Sequence, residues 1–256
     1  MKYIIDKLEV KAYETRDEMG KAAAKDIAFR IKELLGEKSE INMIFAAAPS
    51  QDDMLYHLCR EEGIEWERIN AFHMDEYVGL DASAPQCFSN FLKRGIFDLK
   101  PFKSVNLINA AATDADAECD RYAKLLAENP VDIVCMGIGE NGHIAFNDPH
   151  VAEFNDAKAV KKVSLDNVCR MQQVHDGCFE KIDDVPEYAV TLTIPTLMSA
   201  KYNFCVVPAK SKAEAVKRTV CGEISEECPA TIMRKKDGVI MYCDMDSSAL
   251  ISDLLK

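Results

Sequence analysis

The feature that most constrains the fold is the stretch from Val131 to Pro149, VDIVCMGIGENGHIAFNDP. Val131, Ile133, Val134 and Met136 make a short apolar run, the pattern of a parallel strand covered on both faces. Gly137, Gly139 and Gly142 break that run and impose a loop, because glycine permits positive φ and lets a backbone approach a ligand closely. Glu140, Asn141, His143, Asn147 and Asp148 then supply charge and hydrogen-bonding groups at the carboxyl end of the strand, where open α/β sheets keep their sites. As a nucleotide loop the three glycines fail: no Gly-Lys-Ser/Thr follows, and the spacing is not G-x-G-x-x-G.

The rest of the chain repeats the strand-then-helix rhythm. Thr15 and Glu18 have capping-box spacing, and Met19, Ala23, Ile27, Ile31, Leu34 and Leu35 recur at helical spacing up to a stop at Gly36. A buried strand is expected over Ile41 to Ala48, with Pro49 and Ser50 turning into a helix for which Ser50 and Asp53 have capping spacing. Further strands are expected at Ile69 to Met74, Ser104 to Ile108, Tyr188 to Ile194, Tyr202 to Val207 and Gly238 to Cys243. Helices are expected around Phe88 to Phe97, at Ala115 to Glu128, Thr196 to Ala200 and Lys210 to Val220, and at the end of the chain. Between about 150 and 184 the pattern loosens, which marks an excursion from the core sheet. Together these predict an α/β fold in one domain spanning 1–256, with a mostly parallel sheet and helices on both faces.

With 256 residues, 48% of them hydrophobic, one large core is the first expectation. A formal net charge of −12 argues against binding a nucleic-acid backbone, yet leaves room for a small anion held by a few local cations. No apolar stretch approaches the length of a membrane span, and the only apolar run of the opening MKYIIDKLEVKAYE is interrupted by charge, unlike a signal peptide. The ten cysteines are scattered without a CxxC pair and read as reduced thiols. A soluble, cytoplasmic protein is the expectation.

Three groups carry the candidate chemistry. Asp75 and Glu76 follow His73 in the mostly apolar segment Phe72 to Tyr77. Partial desolvation would raise a carboxylate's pKa there and make Asp75 a proton carrier. Adjacent carboxylates are more often solvated loop residues, and a metal would need a third ligand nearby, so no metal is expected. A lone histidine is often structural too, but His143 follows a glycine turn and has Asp148 five residues on to orient it. Lys212, at the start of a helix, and Arg170 are the candidate cations for a phosphate, with Lys210 and Lys217 as rivals, and the helix near Ser50 offers backbone donors. His57, Trp66 and His175 read as structural.

Taken together, FHMDEYVGL and GIGENGHIAFNDP resemble the glucosamine-6-phosphate deaminase/isomerase family, which shares its fold with the 6-phosphogluconolactonases. VPEYAVTLTIPTLMSA, PAKSKAEAV and CPATIMRKKDGVIMYCD extend the resemblance nearly end to end. It implies a Rossmann-like fold of the sugar-phosphate isomerase type, with Asp75 moving a proton between adjacent sugar carbons and His143 opening the pyranose ring. The activity implied is isomerisation with deamination of glucosamine 6-phosphate or a close epimer, giving a ketose 6-phosphate and ammonia. No cofactor is implied; the partner is a small sugar phosphate, and a homo-oligomer is expected from resemblance alone. The chain departs from the family pattern at three places. Asn141 and Asp148 stand where relatives usually carry an aspartate and a glutamate around the histidine. Ala46, Ala47, Ala48, Pro49 and Ser50 replace a Gly-Gly-Thr-Pro phosphate loop, with Ser50 as the substitute hydroxyl. CRMQQVHDGCF replaces an Asn-Ser-Arg-Phe-Phe segment, with Arg170 as the expected replacement arginine. Lys212, Ser50, Ala47, Ala48, Arg170 and Gly139 are therefore the binding candidates, and Asp75, His143, Asp148 and Asn141 the catalytic ones. The rival readings are hydrolysis of a sugar-phosphate lactone by water activated at His143, and a non-catalytic sugar-phosphate sensor.

Overall fold

A computed structural model describes residues 1–255. In chain order the elements are β1 (Lys2–Ile5), β2 (Leu8–Ala12), α1 (Arg16–Glu37), β3 (Ile41–Phe45), α2 (Asp52–Leu58), β4 (Ile69–His73), β5 (Asp75–Tyr77), α3 (Phe88–Leu92), β6 (Ser104–Asn106), α4 (Ala115–Glu128), β7 (Ile133–Met136), β8 (Val160–Ser164), α5 (Asn167–His175), β9 (Tyr188–Leu192), α6 (Ile194–Met198), β10 (Tyr202–Val207), α7 (Ala213–Cys221) and β11 (Val239–Cys243). Short 3₁₀ turns at Pro49–Gln51 and Lys210–Lys212 lead into α2 and α7.

The main sheet has the order β1-β2-β11-β10-β7-β3-β4-β6, parallel throughout except for the β1–β2 hairpin at one edge. Alternate residues of each central strand feed opposite faces. Met43, Phe45, Ile133 and Cys135 pack with α1, α2 and α3, while Ile44, Val134 and Met136 pack with α4, α6 and α7. Burial on both faces is why these strands read as continuous apolar runs.

From β3 the chain builds outward through β4 to β6, then returns to the other side of β3 as β7 and builds the opposite way through β10 to β11. The order therefore reverses between β3 and β7. At such a switch point the loops leaving the two strands diverge and open a crevice beyond their carboxyl ends.

Thr15 caps α1 as its spacing requires: its side chain accepts from the Glu18 amide, and Glu18 reaches back to the Thr15 amide. The helix runs one residue past the expected stop at Gly36, and the Lys38 amide closes it on the Leu34 carbonyl. The cap expected at Ser50 does not form. Pro49 begins a 3₁₀ turn one residue earlier, so Ser50 lies inside the turn and the Asp53 carboxylate pairs with Arg16 instead.

A second, antiparallel sheet in the order β5-β9-β8 lies beyond the main one. The strand expected from Tyr188 belongs to it. The segment from 150 to 184 does leave the main sheet, but it contains β8 and α5. Val160 and Val163 are the only buried residues of β8, so the strand lacks the apolar run that reveals the others. The β1–β2 hairpin also had no clear signal, since Glu9 and Lys11 alternate with buried Leu8, Val10 and Ala12. Among the described residues no helix is long and apolar enough to cross a membrane.

Candidate active site

A cavity fills the crevice at the switch point. Its wall comes from the loop after β3 (Ala46, Ala47, Ala48, Pro49, Ser50, Gln51), the β4–β5 junction (Met74, Asp75), the loop after β7 (Gly137, Ile138, Gly139, His143) and the loop after β10 (Pro208, Ala209, Ser211, Lys212). Gln172, Gln173 and Asp176 from α5 and its end, Phe88 from α3, Phe146, and Arg16 from α1 complete it. Asp75, His143, Lys212, Ser50, Ala47, Ala48 and Gly139, separated by up to 165 positions in sequence, thus share one wall.

The two adjacent carboxylates have different fates. Glu76 accepts from the amides of Tyr77 (3.0 Å), Phe88 (3.0 Å) and Ser89 (2.9 Å), and so satisfies the open first turn of α3. Asp75 points the other way, as alternation along β5 requires. It is buried against the cavity, and among the described residues its carboxylate has no hydrogen-bond partner. Burial first, and then the neighbouring Glu76 charge, push its pKa well above the ordinary carboxylate range. His73 is structural: its Nε2 accepts from the Ile108 amide at 2.7 Å, and burial lowers its pKa to about 3, which keeps the ring neutral.

His143 Nδ1 lies 2.9 Å from Asp148 Oδ1, within ion-pair distance but without hydrogen-bond alignment. Asp148 is fully buried behind the ring and does not reach the cavity wall. Its burial raises its pKa, but His143, by charge and by contact, followed by Asn141 and Cys169, outweighs this and brings it to about 2. Asn141 also stands behind the site. Its Nδ2 donates to Asp148 Oδ1 at 2.9 Å and its Oδ1 accepts the His143 amide at 2.9 Å, so it splints the pair rather than extending a chain of acids. Gly139 is required here for close approach: a Cβ would sit 2.1 to 2.4 Å from three atoms of the His143 ring. Of the three loop glycines only Gly142 has positive φ, at 88°.

His143, Asp148 and Cys169 bring three atoms of metal-ligand type within 4.8 Å of one another. Burial pushes the Cys169 thiol far above its ordinary pKa, with the Asp148 charge adding to the shift, so the thiolate that a metal would need is disfavoured. The set suits a metal poorly, and the close pairing of His143 with Asp148, which Asn141 also bonds, accounts for the grouping.

Lys212 is buried, and among the described residues no carboxylate lies within ion-pair distance of it. Burial lowers its pKa, while Asp176 and Glu140 pull the other way. A buried cation with an unsatisfied charge facing a cavity is a site for an anion. The alanines of the loop after β3 cost the cradle nothing in backbone terms, because none of Ala46, Ala47 or Ala48 takes positive φ and Ala48 is extended at −158°.

Arg170 is a correction. Its guanidinium donates to the carbonyls of Ile182 (2.8 Å) and Val185 (2.9 Å), tying α5 to the segment after it, and does not line the cavity. Gln172 and Gln173, two and three residues on, do. Gln172 Oε1 accepts the Glu140 amide at 2.9 Å, and Gln173 Oε1 accepts the Tyr77 hydroxyl at 2.8 Å. These glutamines, with Arg16, Gln51 and Asp176, escaped the sequence reading. The α5 residues lie in the loosely patterned segment, and Arg16 is an ordinary first-turn residue of an amphipathic helix.

Fold and site together define a parallel α/β protein with a cavity at its topological switch point, lined by a buried lysine, a buried carboxylate and a histidine backed by a second carboxylate. Comparison with known proteins narrows the class. Residues 14–242 match the family described as glucosamine-6-phosphate isomerases/6-phosphogluconolactonase, and the chain belongs to that family. It is 33% identical to a glucosamine-6-phosphate deaminase of Bacillus cereus over 248 residues, 97% of this chain and 91% of the relative. It is 36% identical to one of Streptococcus suis over 194 residues, 76% of this chain and 81% of the relative. A solved monomeric glucosamine-6-phosphate deaminase superposes with a TM-score of 0.85 at 30% identity, covering 94% of this chain and 99% of that one. A 6-phosphogluconolactonase from Thermotoga maritima superposes at 0.76 with 18% identity, covering 93% and 100%, a likeness of fold alone.

Proposed function

We propose that this chain isomerises and deaminates an amino-sugar phosphate, glucosamine 6-phosphate or a close epimer, to a ketose 6-phosphate and ammonia. The observation that carries the reading is the convergence of an unpaired buried carboxylate, a carboxylate-backed histidine and an unpaired buried lysine on one cavity. Relatives that share most of the chain's length bear that activity in their names.

Each group suits one part of the reaction. Lys212 suits the phosphate. His143, held by Asp148, suits moving a proton from the anomeric hydroxyl to the ring oxygen, which opens the pyranose to the aldehyde. Asp75, as carboxylate, takes the proton from C2 and returns it to C1 while a proton of the amino group passes to the aldehyde oxygen, so that the enolamine becomes an imine at C2; water then adds to the imine and ammonia leaves. A carboxylate with a raised pKa is the stronger base for a carbon acid, and burial is what raises it here. Every residue this reading uses comes from one chain, so the reading itself requires no homo-oligomer. Ten free thiols, seven of them buried, fit the reducing cytoplasm.

The test is incubation of the purified protein with 2-amino-2-deoxyhexose 6-phosphates, with ammonia and ketose phosphate both measured. Release of neither product from any of them would refute the deaminase reading. Hydrolysis of a sugar-phosphate lactone that persists in Asp75→Asn would instead favour lactonase chemistry at His143.

A further inference from the structure

A phosphate monoester carries about −1.5 to −2 charge near neutral pH, more than one lysine balances. The arginine expected to share it, Arg170, is committed to the carbonyls of Ile182 and Val185 and does not line the cavity. Among the described residues that line the cavity, the lysines and arginines are Lys212 and Arg16. We propose that Arg16 is the second phosphate-binding cation of this site; the inference rests on the reading of the substrate as a sugar phosphate.

Three observations carry it. Arg16 lines the same cavity as Lys212 and Ser50 although it comes from the first turn of α1 and not from a loop at the carboxyl end of a strand. Its guanidinium is held in place: Nε donates to Asp53 and Nη2 donates to the carbonyl of Pro49, the residue before Ser50. Among the described residues Nη1 has no partner, so Asp53 takes one edge of the group and leaves donors over. The support for this geometry is also built in. The Thr15–Glu18 capping box fixes the first turn of α1, and Gly20 lets α1 and α2 approach until a Cβ there would sit 2.6 Å from Asp53 Cβ. An arginine held in its bound geometry loses little freedom on meeting a phosphate, and its planar donors suit that oxyanion.

A purely structural reading makes Arg16 only a tie between α1 and α2. The two readings separate by phosphate dependence. For Arg16→Ala, KM for glucosamine 6-phosphate should rise about tenfold or more while kcat changes much less, the signature of a lost ground-state contact. Arg16→Lys, which keeps the charge but cannot span Asp53 and the Pro49 carbonyl together, should recover most of the loss. With unphosphorylated glucosamine the rise in KM should be much smaller than with the phosphorylated sugar. An unchanged KM, or an equal loss with the unphosphorylated sugar, would overturn the proposal. If Arg16→Ala does not fold, Arg16→Gln, which retains an amide donor, carries the same comparison. If the parent protein releases no ammonia, the deaminase reading fails by itself. Calorimetric titration with inorganic phosphate then decides Arg16: weakened binding in Arg16→Gln supports the assignment, and equal binding refutes it.

Discussion

At the scale of single residues, environment separates groups that are chemically the same. Asp75 and Glu76 are neighbours in sequence, yet one caps a helix and the other is left uncompensated at the cavity. Its raised pKa means that the fold disfavours the ionised carboxylate. The sign follows: native Asp75 binds a proton more tightly than unfolded Asp75, so stability falls as pH rises above the unfolded value near 4 toward the folded one. Asp75→Asn should therefore cost turnover about 10³-fold or more while raising, not lowering, Tm at pH 7. Steady-state kinetics and a thermal melt check both halves. Asp148 has the opposite sign. Its pKa of about 2, depressed from 3.8, adds stability above about pH 4 that is lost as pH falls through 2, about 2 kcal/mol in all. Urea unfolding between pH 5 and 2 should show that slope in the parent protein and a shallower one in Asp148→Asn.

At the scale of elements, the site is a set of loops whose shapes are set by packing behind them. The loop after β7 depends on Gly139 because the His143 ring occupies the space a Cβ would need, and its φ is not positive, so alanine meets a steric and not a backbone obstacle. Gly139→Ala should fold, displace the ring and lower kcat about 10²-fold, the cost of a misplacement near 1 Å; circular dichroism and kinetics together distinguish this from unfolding. The loop after β3 tolerates alanines for a related reason, since its extended and turn backbone never enters the left-handed region. Most elements of the main sheet were legible from apolar runs and caps: α1, β3, β4, α4, β7 and β10 fall within a few residues of their expected bounds. The missed ones share a cause. β2 buries only alternate residues, β8 buries only Val160 and Val163, and α5 follows a polar stretch, so local composition gave no run to read.

At the scale of the molecule, an acidic chain of net charge −12 keeps two cations at one switch-point cavity. A ligand that meets only the folded state stabilises it by mass action. Glucosamine 6-phosphate or its ketose product at about 100 times Kd should add about 2.7 kcal/mol, hence about 5 to 10 °C in Tm. Lys212→Met should remove most of that rise while leaving the unliganded protein as stable or more so, because the buried charge is gone; differential scanning fluorimetry with and without ligand decides it. What the sequence by itself determined is the α/β class and four local facts: the strand and glycine turn around Gly139, the acidic cluster at Asp75, His143 with Asp148 at hand, and a lysine at 212. These are short-range patterns, set by alternation, caps and residue chemistry. Only the tertiary structure decided that Asp75 and not Glu76 faces the cavity, that Asn141 splints Asp148, that Arg170 turns away and that Arg16 arrives from α1. Those outcomes depend on which way each side chain points once strands are ordered around β3 and β7, and that order is fixed by burial across the whole sheet, not by any segment alone.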